Sequence, residues 1–301
     1  MRNTVIVTDW SDDMKHSDFT VDTIYNEDCF ETMKVMPDGL CDVILTSPFY
    51  NTNKKAGKTR TLKNTSVKNG QYDYVRYDVH VDNMTNDEYC DYTVNLFNYF
   101  SRILSTGGVV LYNLSYGSEN TECMVRAVSA VLERTDFTLA DVIVWKKSNA
   151  LPNCCSPNKL TRICEFVYVF CRRSELKTFN ANKKVLSQRA NGQKMYEAFY
   201  NFIEAKNNDG ACPYNKATYS SELCEKLLDM YAGSSAVVYD PFMGSGTTAV
   251  ACIRKDLHYV GSEISPNQCE WARNRLSEIM HEEPPKTLSQ WLDELLGGDT
   301  S

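Results

Sequence analysis

The chain has 301 residues and a net charge of −7, with 43% hydrophobic and 24% charged residues. This composition is typical of a globular protein and excludes a collagen-like, low-complexity or largely disordered chain. The acidic balance also disfavours a protein that coats nucleic acid with an overall basic surface. No apolar run approaches the length of about 18 residues that a membrane span needs. Because the amino terminus also lacks the apolar run of a signal peptide, we expect a soluble intracellular protein.

The first predicted strand, 42–46, runs directly into Ser47-Pro48-Phe49-Tyr50, which we call the tetrad. This strand is apolar and rich in β-branched residues, as buried strands are. The Ser47 hydroxyl and the Pro48 carbonyl can accept hydrogens from an exocyclic amine, and Tyr50 offers a stacking face to a planar base. The tetrad therefore predicts a nucleobase pocket; an ordinary strand-to-loop turn containing proline is the alternative.

A long polar segment, residues 52–84, follows the tetrad, and we call it the basic loop. Loops of this length inside a compact domain are usually functional or mobile. It could hold a polyanion locally, and a solvated charged loop is the alternative. Its basic residues include Lys54, Lys55, Lys58, Arg60, Lys63, Lys68 and Arg76, opposed between 53 and 76 only by Asp73.

Strands and helices alternate along the rest of the chain. Further strands are predicted at 108–112, 140–145, 165–170, 236–239 and 258–262, and helices at 86–104, 120–134, 221–231, 247–254 and 266–280. This alternation indicates a mostly parallel sheet that is covered by helices on both faces. Between 173 and 213 the pattern gives way to polar sequence, which predicts an inserted excursion.

The cysteines and histidines do not form a metal-binding pattern. The 12 cysteines are scattered without a paired CxxC motif, and several lie in strand-like apolar runs. We therefore predict reduced thiols in the core. Since the 4 histidines lie far apart in the sequence, a zinc site has little support.

The strongest motif runs from Asp240 to Thr247, and we call it the glycine turn. An apolar strand ends in Asp240, and Gly244 and Gly246 then allow positive φ and close backbone approach before a helix begins. The next strand ends in Glu263, the place where open α/β sheets hold a ribose. No GxGxxG and no P-loop lysine is present, so the pattern indicates a nucleoside site other than a dinucleotide or ATP site; a structural turn is the alternative.

The order of the two motifs predicts a permuted sheet. A nucleoside-binding turn normally follows an early strand, but only one predicted strand follows Gly246. The remaining strands must therefore come from earlier in the chain. Both the tetrad and the glycine turn would then lie at strand carboxyl ends on one edge of the sheet.

The tetrad, the glycine turn and their order resemble the β-class amino-methyltransferases of DNA over about residues 22–278. The resemblance implies a circularly permuted Rossmann-like α/β methyltransferase fold with a mostly parallel, doubly wound sheet. It also implies an enzyme that moves a methyl group from S-adenosyl-L-methionine to an exocyclic amine of a flipped base in double-stranded DNA. The products are the methylated base and S-adenosyl-L-homocysteine, without a metal.

The same resemblance assigns roles to individual residues. The catalytic residues would be Ser47, Pro48 and Tyr50, and Arg162 and Glu165 match a family position near the flipped base, where a structural ion pair is equally compatible. Cofactor binding would fall to Asp28 and Cys29 beside the adenine, to Lys216 and Ala217 in the segment 215–222, to Asp240, Pro241, Phe242, Gly244, Gly246 and Thr247 around the methionine part, and to Glu263 at the ribose. Independently of the resemblance, the basic charge and the polar composition assign DNA contacts to Lys54, Lys55, Lys58, Arg60 and Lys63 in the basic loop and to Arg189 and Lys194 in the excursion, for which a plain polar loop is the alternative.

The target base stays open between two choices. In this family a serine-led tetrad is more often associated with N4 of cytosine and an aspartate-led one with N6 of adenine, so cytosine is favoured and adenine is the alternative. Phe49 stands where the family has a second proline, which motivates a third reading, a catalytically inactive relative that binds nucleic acid. RNA is a further candidate substrate.

The resemblance also gives a domain organisation and candidate partners. We expect a target-base half at 1–172, a target-recognition insertion at 173–213, a cofactor half at 214–280 and an appendage at 281–301. A cognate restriction endonuclease is a candidate partner, and the chain would act as a monomer or homodimer. A cytoplasmic, nucleoid-associated location is expected, or a nuclear one in a eukaryote.

Overall fold

A computed structural model describes residues 19–51, 84–117, 120–150, 152, 157–210, 212–215 and 218–281. The strands are β1 (Thr23–Tyr25), β2 (Cys41–Thr46), β3 (Leu104–Leu114), β4 (Phe137–Lys147), β5 (Cys164–Arg172), β6 (Val185–Gln188), β7 (Lys194–Tyr196), β8 (Phe202–Ala205), β9 (Val237–Asp240) and β10 (His258–Ser262). The helices are α1 (Cys29–Val35), α2 (Asn86–Ile103), α3 (Cys123–Arg134), α4 (Ser221–Tyr231), α5 (Thr247–Arg254) and α6 (Pro266–His281). Among the helices in these ranges, none is both long and apolar enough to cross a membrane.

Eight strands form one sheet in the order β1-β10-β9-β2-β3-β5-β4-β8. Strand β5 is antiparallel to its neighbours β3 and β4, and the other paired strands are parallel. The late strand β9 lies beside the early strand β2, which confirms the predicted permuted order. The mostly parallel α/β sheet is confirmed as well.

Helices cover both faces of the sheet because successive strand residues point to opposite sides. In β2, Val43 and Leu45 belong to the apolar cluster that includes buried residues of α4, α5 and α6. Ile44 lies on the other face, in a cluster with Met33 of α1 and Phe97 of α2. Both faces are therefore buried, which explains why the sequence of β2 is almost continuously apolar.

Helix α2 begins at a capping box that the sequence indicates. The Thr85 hydroxyl accepts a hydrogen bond from the Glu88 backbone N–H at 3.2 Å, and the Glu88 carboxylate accepts one from the Thr85 N–H at 2.8 Å. These contacts satisfy two donors that would otherwise lack helical partners. The helix thereby starts directly after the basic loop and packs against α3 and the sheet.

The predicted excursion contains a hairpin and an additional strand of the main sheet. Strands β6 and β7 pair with each other, and every residue of β6 is exposed. The chain leading into this hairpin is fixed at the amino end of the sheet, where the Asn180 N–H donates to Gly107 O at 2.7 Å and the Asn182 N–H to Met230 O at 2.8 Å. Strand β8 then returns to pair with β4. The proposed division of the chain into functional segments stays a prediction.

The described cysteines are reduced thiols, as predicted. Ten cysteines lie in the described ranges, and none of them forms a disulfide. Nine of these ten are buried and one, Cys164, is half-buried. Burial raises the pKa of the Cys29 thiol to about 12, so this thiol is neutral in the physiological range.

Candidate active site

The tetrad and the glycine turn lie side by side at the carboxyl ends of adjacent strands. Strands β2 and β9 are parallel neighbours, with Ile44 opposite Tyr239. The Thr46 hydroxyl donates a hydrogen bond to Asp240 Oδ1 at 2.7 Å across this junction. The two motifs, separated by almost two hundred residues in the sequence, therefore share one edge of the sheet, as their order predicts.

Phe49 anchors the tetrad to the protein interior. Its side chain is 6% exposed, and its ring meets Tyr89 edge-on with the ring centres 5.4 Å apart. The same ring contacts Phe242 of the glycine turn in a T-shaped pair at 6.1 Å. The Tyr89 hydroxyl donates to the Phe49 carbonyl at 2.6 Å, which fixes the backbone between Pro48 and Tyr50. Phe49 is thus a packing link between the two motifs.

The side chains of Ser47, Tyr50, Asn113 and Glu165 form one hydrogen-bonded group, which we call the hydroxyl cluster. The hydroxyl oxygens of Ser47 and Tyr50 lie 2.9 Å apart, and the Tyr50 hydroxyl donates to Glu165 Oε2 at 2.9 Å. The Asn113 amide nitrogen lies 3.2 Å from Ser47 Oγ, 2.8 Å from the Tyr50 oxygen and 3.0 Å from Glu165 Oε2. Ser47 and Tyr50 are half-buried, so the cluster is open on one side.

Glu165 forms an ion pair with a lysine of the neighbouring strand. Lys147 Nζ lies 2.5 Å from Glu165 Oε1, and the side chains are 17% and 12% exposed. Because solvent is largely excluded, the attraction between these two charges is screened less than in an exposed surface pair. Arg162 takes a different position, over the Tyr116 ring at 5.2 Å and in contact with the Tyr116 carbonyl.

The glycine turn has the backbone conformation that the sequence predicts. Gly244 and Gly246 have φ values of 54° and 82°, in the left-handed region that favours glycine. The Gly244 N–H donates to Glu263 Oε2 at 2.7 Å, and the Ser265 N–H donates to Glu263 Oε1 at 2.8 Å. Glu263 therefore connects the turn to the carboxyl end of β10 and directs its carboxylate to the edge predicted for the ribose.

Asp240 is a buried hydrogen-bond acceptor at the start of the turn. It has no exposed surface, and its carboxylate accepts hydrogen bonds from Thr46, the Phe242 N–H, Thr248 and Tyr219. Burial raises the pKa of Asp240 above its ordinary value of 3.8, and these hydrogen bonds oppose that shift. The side chain of Asp240 organises the turn from within. The turn continues after Asp240 with Pro241 and Phe242 and ends at Thr247.

Asp28 and Cys29 lie beyond the end of β1, two strands from the glycine turn. Strand β1 pairs with β10, with Tyr25 opposite Ser262. The Asp28 carboxylate accepts a hydrogen bond from the Phe30 N–H at 2.8 Å and caps α1. The Asn26 side chain donates to the Glu263 carbonyl at 2.8 Å, which ties this loop to the residue that follows β10. Asp28 is thus on the same edge as the turn, whereas Cys29 is buried.

Other predicted site residues lie away from this edge or outside the described ranges. Arg189 and Lys194 lie on the β6–β7 hairpin, which the chain enters at the amino end of the sheet and leaves toward Asn201, whose carbonyl accepts from the Val144 N–H at 2.9 Å. Outside the described ranges lie Lys54, Lys55, Lys58, Arg60, Lys63, Lys216 and Ala217. The neighbouring Asn215 is described, and its side chain donates to Gln268 Oε1 at 2.8 Å.

Sequence reasoning missed several residues that support the site. Asn113 and Lys147 sit at the ends of strands where the local sequence gives no functional signal. A cavity of about 390 Å³ adjoins the glycine turn beside α6, and Ser245, Thr247 and Arg275 contribute to its lining. Arg275 pairs with Asp209 at 2.5 Å and donates to the Thr247 hydroxyl at 3.2 Å. Ser245 and Thr247 belong to the predicted glycine turn, whereas only the packing of α6 onto the turn identifies Arg275.

The fold is an α/β sheet in which a half-buried polar cluster adjoins a glycine-rich turn at the carboxyl ends of adjacent strands. The family model N6_N4_Mtase, described as DNA methylase, matches residues 41–274, well over half of the chain. The chain therefore belongs to this DNA methylase family, which confirms the resemblance seen in the tetrad and the turn.

Similar proteins agree with this assignment. The Type II methyltransferase M.HinfI of Haemophilus influenzae is 25% identical over 271 residues, covering 86% of this chain and 69% of that protein. The fold resembles the PvuII DNA methyltransferase (cytosine-N4-specific), with a TM-score of 0.62 at 15% identity over 92% of this chain and 93% of that chain. It also resembles M1.HpyAVI in its SAM complex, with a TM-score of 0.55 at 20% identity over 84% and 98% of the two chains.

Proposed function

We propose that this protein transfers a methyl group from S-adenosyl-L-methionine to N4 of a cytosine flipped out of a specific duplex DNA sequence. The observation that carries this proposal is the Thr46–Asp240 hydrogen bond, which sets the tetrad beside the glycine turn. A donor on the turn and an amine at the tetrad would then face each other. Support for cytosine rather than adenine comes from Ser47 at the head of the tetrad.

The residues at this edge fit the chemistry of the proposed cofactor. The positive φ values of Gly244 and Gly246 shape a tight turn of the kind that binds nucleosides, and Glu263, which accepts from the Gly244 N–H, has a carboxylate suited to ribose hydroxyls. Asp28 on the same edge suits the adenine amine, and Lys216 would pair with the methionine carboxylate. When bound, S-adenosyl-L-methionine supplies an activated methyl group on a sulfonium. The solved complex of M1.HpyAVI, a protein of similar fold, contains SAM.

The chain's own residues would act mainly by positioning the amine. An exocyclic amine is a weak nucleophile because its lone pair is delocalised into the ring. Hydrogen bonds from the amine to Ser47 Oγ and the Pro48 carbonyl favour the more nucleophilic, pyramidal nitrogen of the transition state. Correct alignment with the breaking bond is worth about 7 to 11 kcal/mol. The surplus proton of the amine passes to water after transfer.

DNA would be held by basic residues around this pocket. Flipping a base costs a few kcal/mol, which stacking on Tyr50 and backbone contacts would offset. The basic loop begins directly after Asn51 and carries the lysines that we assign to phosphates. Arg189 and Lys194 would contact DNA from the exposed β6–β7 hairpin. A cytoplasmic location is supported by the bacterial relative M.HinfI.

Mass spectrometry of nucleosides tests the function directly. DNA from cells expressing the chain should contain 4-methylcytosine, and sequencing of the modified positions should give one recognition sequence. A Ser47→Ala variant that binds S-adenosyl-L-methionine normally in calorimetry should leave the DNA unmodified. 6-methyladenine would assign the alternative base. Absence of both bases from DNA and of methylated bases from RNA, with cofactor binding and nucleic-acid binding intact, would instead identify an inactive nucleic-acid-binding relative.

A further inference from the structure

We propose that Glu165 and Asn113 are positioning residues that fix the direction of the hydrogen bonds in the hydroxyl cluster, so that Ser47 faces the target base only as an acceptor. The site would then select a base that presents an amine over one that presents a carbonyl at the same position. This inference rests on the proposed function and deepens it, because it names what in the chain determines the class of base.

The direction of the hydrogen bonds follows from counting protons. A carboxylate can only accept, so the single Tyr50 hydroxyl proton is directed to Glu165 Oε2, 2.9 Å away. The Tyr50 oxygen then has no proton left for Ser47. The contact of 2.9 Å between the two hydroxyls must therefore be donated by Ser47. The Ser47 proton points into the cluster, away from the open side.

Asn113, on the buried side of the cluster, favours the same direction of the hydrogen bonds. It is fully buried, and its amide nitrogen lies within 3.2 Å of the oxygens of Ser47, Tyr50 and Glu165. Rotating the amide by half a turn would place its oxygen against the Glu165 carboxylate, and two acceptors repel each other. The Asn113 Oδ1 atom meanwhile has no hydrogen-bond partner among the described residues. Its orientation is thus imposed by the acceptors around its nitrogen.

Lys147 contacts the other oxygen of the Glu165 carboxylate. Its ammonium lies 2.5 Å from Oε1, on the side of the carboxylate away from the Tyr50 contact. Ser47 Oγ accepts a hydrogen bond from Asn113 with one lone pair and donates its own proton to the Tyr50 oxygen. The second lone pair of Ser47 Oγ is therefore available to a ligand. An amine hydrogen fits this lone pair, whereas a carbonyl oxygen would face it unfavourably.

The variant Glu165→Gln tests the direction of the hydrogen bonds. A glutamine amide can donate to the Tyr50 oxygen, so the Tyr50 proton can turn to Ser47 and the Ser47 proton can turn to the pocket. We would measure kcat, KM for DNA, and the affinity of duplexes with cytosine or uracil at the mapped target position. If the wild-type product is 6-methyladenine, the two target bases to compare are adenine and hypoxanthine. The quantity compared is the ratio of the affinities for the two duplexes, in the variant and in the wild type. The uracil or hypoxanthine mismatch makes the base easier to flip in both proteins, so its effect cancels in this comparison.

We expect the variant to lose the preference for the amine base by about tenfold, the factor for one hydrogen bond of about 1.4 kcal/mol. We also expect kcat to fall by a larger factor than KM changes, with cofactor affinity unchanged in calorimetry. Glu165→Asp, which keeps an acceptor, should restore part of the preference. The matched control is Glu204→Gln, because Glu204 pairs with the adjacent Lys146 at 2.9 Å on the exposed side.

Two results would overturn the proposal. One is a Glu165→Gln variant that methylates with unchanged kcat and unchanged base preference. The other is an equal loss of affinity for both bases, which would indicate a structural role alone. Neither result affects the proposed function, which fails separately if the wild-type chain forms no methylated base.

Discussion

The Thr46 hydroxyl donates a hydrogen bond to the buried Asp240 carboxylate at 2.7 Å, and this contact joins two motifs that are 194 residues apart. Thr46 directly precedes the tetrad, and Asp240 is the first residue of the glycine turn. Because Asp240 has no exposed surface, water cannot replace the lost partner if this contact is removed. The relative position of the target pocket and the cofactor edge therefore depends on an interaction of two side chains in adjacent strands.

Replacing Thr46 by valine should separate the two motifs slightly without emptying the core. The variant keeps the volume of the side chain but removes the donor, so we expect the free energy of unfolding to fall by about 1 kcal/mol. The stability loss alone would unfold only a small part of the protein, but turnover should fall by more than that part. The reason is that misalignment of the methyl donor and the amine affects the transition state. Urea unfolding and single-turnover kinetics measure the two effects.

The control for this variant is Thr93→Val. Thr93 is 1% exposed, and its hydroxyl donates within α2 to the Tyr89 carbonyl at 2.7 Å. Its loss should cost similar stability and leave turnover unchanged. Equal effects of the two variants on turnover would contradict a special role for the Thr46–Asp240 contact.

Asp240→Asn should show how the charge of this group affects stability at different pH. Burial raises the folded-state pKa of Asp240 above 3.8, so its contribution to stability is largest below pH 3.8 and is lost as pH rises through the raised value. The wild-type protein should therefore exceed the variant in stability by more at pH 4.5 than at pH 8. Denaturant unfolding of both proteins across this range provides the measurement. A difference that grows with pH would show that the hydrogen bonds outweigh burial.

The ring contacts of Phe49 indicate a packing role rather than a catalytic one. Its ring fills the space between Tyr89, Tyr92 and Phe242, so Phe49→Ala should lower the free energy of unfolding by about 3 to 5 kcal/mol. Phe49→Leu keeps most of the volume and should cost less than about 1.5 kcal/mol. Thermal unfolding and methylation by the leucine variant check these expectations. Loss of activity in a stably folded Phe49→Leu protein would indicate that the aromatic ring itself contacts the substrate.

Much of the fold follows from local sequence patterns. Helices α4 and α5 and strand β10 have the predicted bounds, because apolar periodicity and capping residues are local signals. Strand β1 was missed because it has 3 residues and is defined only by pairing with β10. Strand β8 was missed for a similar reason, since its role depends on the edge formed by β4.

The site shows the same division between local and nonlocal information. The tetrad and the glycine turn are continuous motifs, so the sequence identifies them directly. The hydroxyl cluster is not continuous, since Asn113 and Glu165 meet Tyr50 only because β5 folds back antiparallel to β3. No spacing in the sequence encodes that meeting. The function of Asn113 therefore becomes visible only when the sheet is assembled.

Gly246→Ala should weaken cofactor binding through the shape of the turn. Gly246 has a φ of 82°, and a Cβ at this position would lie 2.9 Å from the Cβ of Ala272 in α6. The added methyl group must therefore displace α6 or flatten the turn, and the backbone that would meet the cofactor moves in either case. We expect calorimetry to show about a tenfold loss of affinity for S-adenosyl-L-methionine, which corresponds to about 1.4 kcal/mol.

Gly233→Ala is the matched control, because no described atom lies within 4 Å of a Cβ there, and it should bind the cofactor normally. Unchanged affinity in Gly246→Ala would mean that the cofactor does not depend on this turn.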